Sequence, residues 1–205
     1  MKTYDKWMRI LAVVLMITAI VITVWQGSRG PYFDNGLVAG VRSGHMRAHH
    51  HTQANHFDLL FANRGGVSYN FYGTGVHVYI AYYERDKLVL HELISGISTA
   101  EANEVRGSVL WGVTTAGGAR RELRVRADIG GAIGSGSFDF SRIDFTHAFS
   151  TGGLNTLTDM RIEPGERYVL QVWQTGTTWW ADGDIFSPER LRESEKTVIL
   201  YIVFE

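Results

Sequence analysis

Apolar and polar residues alternate with a period of two through much of the chain after residue 57. In the segment VSYNFY, Val67, Tyr69 and Phe71 alternate with Ser68, Asn70 and Tyr72. The segment VHVYIAYY separates two sets of residues in the same way: Val76, Val78, Ile80 and Tyr82 on one face, and His77, Tyr79, Ala81 and Tyr83 on the other. This period is that of a β-strand, so both segments are predicted to be strands.

A turn and a returning strand follow these two segments. The residues ERDK, 84–87, are typical of a hairpin turn, and LVLHELI then resumes the strand pattern. Pairing Tyr83 with Leu88 predicts that the face of Val78 and Ile80 also receives the side chains of Val89, His91 and Leu93. A slip of one residue in this register would move them to the opposite face.

Further hairpins are predicted towards the end of the chain. The segments SVLWGVTT and RELRVRADI form one hairpin, in which Leu123, Val125 and Ala127 face inward and Glu122, Arg124 and Arg126 outward. The segment MRIEPGERYVLQVWQ is a strand, a Pro-Gly turn and a strand that alternates Tyr168, Leu170 and Val172 with Val169, Gln171 and Trp173. The apolar run 198–204 predicts a central strand that is covered on both faces.

Three segments depart from the strand pattern. Ser98 and Glu101 have the spacing of a capping box, which predicts a helical turn that ends at Gly107. Ser187 and Pro188 predict a second short helix, with the serine as N-cap and the proline in the first turn. The glycine-rich residues 130–137 predict a flexible loop.

Eight to ten short strands separated by turn residues favour an all-β fold. The expected architecture is an antiparallel β-sandwich of jelly-roll type, formed by residues 57–205. Aromatic residues make up 12% of the chain, which suits strands better than long helices.

The N-terminal segment predicts a membrane anchor. Residues 10–25 carry no charge, tryptophans stand at both ends as Trp7 and Trp25, and Lys2, Lys6 and Arg9 precede the run. We expect residues 1–9 to be cytoplasmic, 10–26 to cross the lipid bilayer once, and 27–56 to be a histidine-rich tether to an extracytoplasmic domain. A cleaved signal peptide and a buried core helix are the alternatives, and no A-x-A cleavage site follows the run.

Composition excludes several classes of site. The 20 basic and 21 acidic residues nearly cancel, so no overall field favours a nucleic-acid partner. The chain contains no cysteine, which excludes disulfides, thiolate zinc sites and cysteine nucleophiles.

Five of the eight histidines lie between His45 and His56. Imidazole is a common metal ligand, so His45, His49, His51 and His56 are candidate zinc ligands or pH-responsive groups. The spacing gives no convergent ligand set and the nearest acid is Asp58, so a solvated lead-in to the domain is the competing interpretation.

A tryptophan-rich loop, TTWWADGDIF, is the strongest candidate for recognition. Trp179 and Trp180 stand in a polar turn beside Asp182 and Asp184, and Trp173 on the preceding strand is included in this predicted site. Indole faces stack on sugar rings and carboxylates accept hydrogen bonds from hydroxyls. The alternatives are a calcium site, for which the loop is short, and tryptophans that cap the core.

Other groups give weaker indications of chemistry. Arg120, Arg121, Arg124 and Arg126 form a basic ladder that suits anionic polymer or lipid headgroups, or a solvated strand face. His91 and Glu92 lack the second histidine of an H-E-x-x-H motif, so His91 is expected to be a hydrogen-bonded core residue. Three aspartates, Asp139, Asp144 and Asp159, form a carboxylate pair only if the fold brings them together.

The leading functional hypothesis is a non-enzymatic binding or assembly module at the cell surface, whose ligand is a glycan, wall polymer or protein. The predicted partners are membrane lipid, through residues 10–26, and this surface ligand, with no nucleic acid. No cofactor is required, with Zn²⁺ or Ca²⁺ as possible additions. The alternatives are a metal- or pH-responsive sensor that uses the segment His45–His56, and a surface glycan hydrolase.

Overall fold

The computed structural model describes residues 40–48, 61–114, 121–130, 132–143, 149–153, 159–175 and 185–205, together with Met16 and Thr18. Residues 1–40 and Val41–Glu205 cluster as two separate units. The predicted anchor, residues 10–26, lies outside the described residues except for Met16 and Thr18. In the ranges just given, no helix has the length and apolar character needed to span a membrane.

The unit that begins at Val41 is an antiparallel all-β structure, which confirms the predicted class. Its described residues contain nine strands, with one short helix, α1 (Pro188–Arg192), and a 3-10 turn at Phe140–Arg142. The strands are β1 (His45–Ala48), β2 (Phe61–Glu84), β3 (Lys87–Thr114), β4 (Glu122–Ile129), β5 (Ala132–Asp139), β6 (Phe149–Gly153), β7 (Met160–Arg161), β8 (Arg167–Thr175) and β9 (Lys196–Phe204). The segment predicted as a tether, residues 27–56, therefore contains the strand β1.

All nine strands belong to one sheet, ordered β5-β4-β3-β2-β9-β8-β6, with β1 between β2 and β7. β2 and β3 are 24 and 28 residues long, so each takes part in two different sets of neighbours. What we call the first half-sheet contains residues 61–73 of β2 and 103–114 of β3, which pair with each other. It also contains β1 and β7 on the side of β2, and β4 and β5 on the side of β3. The second half-sheet contains residues 75–84 of β2 and 87–98 of β3, which also pair with each other. In this half-sheet β2 pairs with β9, β9 with β8, and β8 with β6.

The β2–β3 hairpin bends where the two half-sheets join. Gly73 is opposite Asn103 but Gly75 is opposite Ser98, so four residues of β3, 99–102, face a single residue of β2. A side chain at Gly73 would overlap the ring of Phe71 and the carbonyl oxygen of Glu205, which explains why glycine stands there. The bulge turns the two halves of the hairpin in different directions.

The predicted helical turn at 98–107 is therefore wrong. These residues continue β3, and Ser98 does not cap a helix. Instead, Thr99 donates from its hydroxyl towards the carbonyl oxygens of Thr74 and Glu101, at 3.1 and 2.8 Å, which satisfies backbone groups that the bulge leaves unpaired.

The inner faces of the two half-sheets share one core. It receives Val67, Tyr69 and Phe71 from the first half-sheet and Val76, Val78 and Ile80 from the second, as the alternation predicts. Aromatic rings cross the junction: Phe140 lies edge-on to Trp173 at 5.4 Å between ring centroids, and Tyr69 contacts Phe204 at 5.2 Å. β9 is buried on both faces, which confirms its predicted central place, because its alternate residues enter this core and a second cluster on the outer face.

Two bulges change which residues share a face. Tyr83 pairs with Leu88 as predicted, but Tyr82 pairs with Leu90, so Val89 is an extra residue and His91 lies opposite Ala81. The prediction that Val89, His91 and Leu93 share the face of Val78 and Ile80 is wrong for this reason.

The second bulge lies in β8. Val169 pairs with Tyr201 and Gln171 with Leu200, so Leu170 is the extra residue and the predicted alternation is wrong beyond it. As a result, Leu170 and Trp173 both enter the shared core, whereas Val169 and Val172 pack on the outer face.

The glycine-rich residues 130–137 do not form the predicted loop, because most of them belong to β5. A side chain at Gly136 would overlap the carbonyl oxygen of Ile94 in β3, so glycine permits the first half-sheet to approach the second closely. The other local predictions hold: β3 and β4 form a hairpin with Leu123, Val125 and Ala127 inward, and Ser187 caps α1 by accepting from the amide of Arg190.

Replacing Gly136 by alanine should strongly destabilise the fold, because its methyl group has no space against the Ile94 backbone. We expect the free energy of unfolding, measured by urea denaturation, to fall by about 2 kcal/mol or more. Gly134→Ala is the matched control on the same face of β5, where the nearest atom to the new methyl would be Ser95 Oγ at 3.2 Å. Equal losses for the two variants would contradict the close approach.

The ion pair between Glu92 and Arg142 joins β3 to the 3-10 turn and should contribute stability only when the carboxylate is charged. Arg142 donates to this carboxylate and lowers its pKa in the folded protein. The ion pair therefore contributes its full stability above the pKa that Glu92 has in the unfolded chain. This stability is lost as the pH falls through the lower pKa that Glu92 has in the folded protein. We expect Glu92→Gln to unfold slightly more easily than the parent at pH 7, and this difference to disappear once the pH lies below the folded pKa of Glu92. Glu101→Gln, at an exposed position, serves as the control; a pH-independent effect of Glu92→Gln would contradict the role of the charge.

Candidate functional site

The outer face of the second half-sheet brings aromatic and polar side chains into contact with one another. The register aligns Leu93, Tyr79, Tyr201 and Val169 in one row across four strands, and His91, Ala81, Ile199 and Val172 in the next. This face includes the set His77, Tyr79, Ala81 and Tyr83, which the sequence pattern separates correctly from the core. We call the group formed by Tyr79, His91, Leu93, Arg167, Phe186 and Tyr201 the aromatic face.

Three rings of the aromatic face lie nearly parallel. The ring of Tyr79 stacks on His91 and on Tyr201, with centroids 5.2 and 5.5 Å apart and interplanar angles of 20 and 22°. The Nε2 atom of His91 lies 2.6 Å from the hydroxyl of Tyr201, which is hydrogen-bond distance. Because each ring belongs to a different strand, the sheet holds the group rigidly.

Tyr201 remains a neutral phenol in this environment. Burial raises its pKa, as do the neighbouring Tyr83 and Tyr79, while the positive charge of Arg167 acts in the opposite direction. A neutral hydroxyl can donate to Nε2 of His91 and keep its own lone pairs as acceptors.

One side of the aromatic face is covered and the other is open. Phe186 lies edge-on to Tyr201 at 5.3 Å, and the guanidinium of Arg167 lies 5.0 Å from the centre of the Phe186 ring. Towards β3, His91 is exposed and Leu93 is 54% exposed. The open part therefore combines an apolar side chain, ring surfaces and hydrogen-bonding groups within one sheet face.

A histidine, a serine and a carboxylate also meet at the margin of this face, beside Gly96. Nε2 of His77 lies 3.2 Å from Ser98 Oγ and 3.3 Å from a carboxylate oxygen of Glu205. Both partners approach the same nitrogen, whereas a serine triad needs the acid on the other one, and Nδ1 of His77 has no partner. This arrangement does not activate Ser98 as a nucleophile in the manner of a triad.

The predicted tryptophan site falls only partly within the described residues. Trp179, Trp180, Asp182 and Asp184 lie outside them. Trp173 is fully buried, contacts Phe140, and has an indole nitrogen without a hydrogen-bond partner. Its position is that of a core residue, which follows from the bulge at Leu170.

The candidate metal ligands are also divided. His49, His51 and His56 lie outside the described residues, and His45 begins β1 with Nδ1 2.9 Å from the carbonyl oxygen of Ser43. Across the ranges that the structure describes, no three acidic or histidine side chains are grouped as metal ligands. The predicted use of the histidine segment stays a prediction.

The remaining candidates are dispersed. Asp139 caps the 3-10 turn by accepting from the amide of Ser141, Asp159 pairs with Arg42 at 3.4 Å, and Asp144 lies outside the described residues. His91 is hydrogen-bonded as predicted but is exposed rather than in the core.

Sequence reasoning missed the aromatic face because its members come from five separate segments. The available signal was the strand face of His77, Tyr79, Ala81 and Tyr83, which is too aromatic for an ordinary solvated surface. The partners His91 and Tyr201 become visible only once the bulge at Val89 sets the register. What the group can do is bind: flat rings stack on apolar ligand surfaces, while histidine, arginine and the tyrosine hydroxyl exchange hydrogen bonds.

The contact between His91 and Tyr201 should be energetically coupled. We expect Tyr201→Phe and His91→Phe each to reduce the free energy of unfolding, and a double-mutant cycle to give a coupling of about 1 kcal/mol, because either change removes the same hydrogen bond while keeping a ring. Urea denaturation of the parent and three variants measures this value. Strictly additive effects would contradict the hydrogen bond.

Comparison of the chain with protein-family models, with curated proteins and with solved structures gives no match. The chemistry of the chain's own residues, and above all of the aromatic face, therefore indicates what the protein can bind.

Proposed function

We propose that the protein is a membrane-anchored, extracytoplasmic binding module whose ligand is a surface glycan or a saccharide wall polymer. The observation that carries the proposal is the aromatic face, in which His91 and Leu93 are exposed beside the stacked ring of Tyr79. A sugar ring presents apolar C–H surfaces and hydroxyl groups together. The aromatic face offers a partner for each.

Rigid presentation supports binding as the activity. Tyr79, His91 and Tyr201 stand on three neighbouring strands of one sheet, so little side-chain entropy is lost when a ligand contacts them. The same rigidity suits recognition of a repeating polymer, because an open sheet face does not require a chain end.

We include the tryptophan loop in this site. The described residues on its two sides are Thr175, at the end of β8, and Ile185, which packs with Phe186 against the outer cluster that contains Tyr201. We propose that Trp179 and Trp180, in the nine-residue connection between these points, contact the same ligand as the aromatic face. Asp182 and Asp184 would then add acceptors for sugar hydroxyls.

The architecture in this proposal is a β-sandwich of jelly-roll type behind one N-terminal transmembrane helix. The shared core between the two half-sheets supports a sandwich, because the inner faces pack on each other. The uncharged run of residues 10–25 with its basic flank and terminal tryptophans supports the anchor and its orientation. The binding module then lies on the extracytoplasmic side of the cell membrane.

A glycan array and a cell-wall pulldown with the full chain in detergent micelles test the function. We expect binding that weakens roughly tenfold in His91→Ala and in the double variant Trp179→Ala, Trp180→Ala, since each removes ring surface. The control is the double variant Leu110→Ala, Ile133→Ala, which removes exposed apolar side chains from the other half-sheet and should bind normally. A parent chain without affinity for any saccharide would contradict the proposal.

A further inference from the structure

The outer face of the first half-sheet is rich in arginine. The strand register brings together basic residues that are far apart in sequence. Arg64 and Arg124 lie on either side of Gly112 in one row across the sheet, and Arg126 lies in the next row on the same face. Arg106 and Arg161 lie in a further row, which also contains Asn70 and His45. Arg47 of β1 lies between these rows, opposite Ser68. We call the group Arg47, Arg64, Arg106, Arg124, Arg126 and Arg161 the arginine face.

Carboxylates are sparse within the arginine face. Between the row that contains Glu122 and the row that contains Glu104, the described strands carry six arginines and a single acid, Asp128. Glu122 accepts from Arg124, at 3.0 and 2.9 Å, at one margin. Many other acids of the domain lie at the hairpin tip, in the Pro-Gly turn and around α1: Glu84, Asp86, Glu163, Glu166, Glu189, Glu193 and Glu195. A chain of net charge −1 therefore has a locally basic surface.

Exposed apolar side chains stand among these arginines. Leu110 is 40% exposed beside Arg126, Ile133 is 57% exposed beside Asp128, and Tyr72 is 65% exposed opposite Glu104. All three point to the same side of the sheet as the arginines, since the alternate residues of their strands enter the core. A merely solvated strand face has no need of large apolar residues at these positions.

Basic and apolar side chains on one open face suit the surface of a bilayer. Guanidinium groups bind phosphate through paired hydrogen bonds, while leucine, isoleucine and tyrosine enter the region between headgroups and acyl chains. A soluble polyanion would satisfy the arginines but not Leu110 and Ile133. Among the described strands, β1, which carries Arg47, follows the predicted anchor most closely in sequence, so the face is close to lipid along the chain.

We propose that the arginine face docks on the anionic phospholipid headgroups of the membrane in which the chain is anchored. The aromatic face lies on the outer side of the other half-sheet, with the shared core between the two. Docking through the arginines therefore turns the aromatic face away from the bilayer. The inference rests on the membrane anchor of the proposed function but not on its saccharide ligand, because the arginine face and the aromatic face share no residue.

The test uses the full chain reconstituted in lipid nanodiscs. Since the chain has no cysteine, a single fluorophore can be attached at Ser135→Cys, on the arginine face beside Arg126, or at Glu193→Cys, next to α1, for comparison. Lipids with a quencher on the headgroup then report how close each position is to the bilayer. We expect strong quenching at position 135 in discs that contain phosphatidylglycerol, weak quenching at position 193, and loss of the difference in neutral phosphatidylcholine discs or in 0.5 M NaCl.

Charge reversal identifies the residues responsible. Arg124→Glu with Arg126→Glu should reduce the docked population at least tenfold, since each basic residue near an anionic surface accounts for roughly a fivefold change in affinity. The control, Arg85→Glu with Lys87→Glu at the hairpin tip, changes the charge equally and should dock normally. Circular dichroism spectra that match the parent show that the variants fold.

Three results would overturn the proposal. One is equal quenching at position 135 in neutral and anionic discs. Another is quenching that survives the Arg124 and Arg126 reversals. The third is an absence of quenching in anionic discs while polyphosphate binds the chain in micelles through the same arginines, which would assign the face to a soluble polyanion. Glycan binding is measured in a separate experiment, so a failure of membrane docking can be distinguished from a failure of the proposed function.

Discussion

The bend of the β2–β3 hairpin is the constraint on which the rest of the described structure depends. Two strands of 24 and 28 residues pair along their length, and the four-residue bulge opposite Thr74 changes their direction. Without the bend, the inner faces of the two half-sheets would lie side by side in one plane and stay exposed to water. With it, Tyr69 and Phe71 meet Phe204, and the burial of both faces in one core supplies the main stabilisation.

Close approach of the two half-sheets also determines where chemistry can occur. Gly136 lies against the backbone of Ile94, and Arg142 pairs with Glu92, so the half-sheets are held along β3 as well as through the core. The inner faces are consequently closed, and the two outer faces remain. One carries stacked rings with histidine and arginine, and the other carries arginines with exposed apolar residues. We therefore propose that the protein is held at a membrane by one outer face and binds its ligand through the other.

The class of fold and much of its strand pattern follow from the sequence, because alternation is a local property. Val76 to Tyr83 separate into their two faces, the turn at Arg85 and Asp86 forms, and Ser187 begins α1. The errors come from long-range effects. The serine and glutamate at 98 and 101 have the spacing of a helix cap, but pairing with β2 outweighs that local preference, and glycine in β5 reflects close packing rather than flexibility. Bulges at Val89 and Leu170 moved His91 out of the core and Trp173 into it, and single-residue shifts of this kind leave no mark in a periodic pattern.

Hydrogen–deuterium exchange of the full chain, with and without a soluble wall polysaccharide, tests the central claim most directly, since it reports which face contacts the ligand. We expect slower amide exchange in residues 87–93 of β3 and in the neighbouring segments that contain Tyr79 and Tyr201, with no change in β4 and β5. Protection confined to β4 and β5, or no protection at saccharide concentrations that saturate binding, would contradict it.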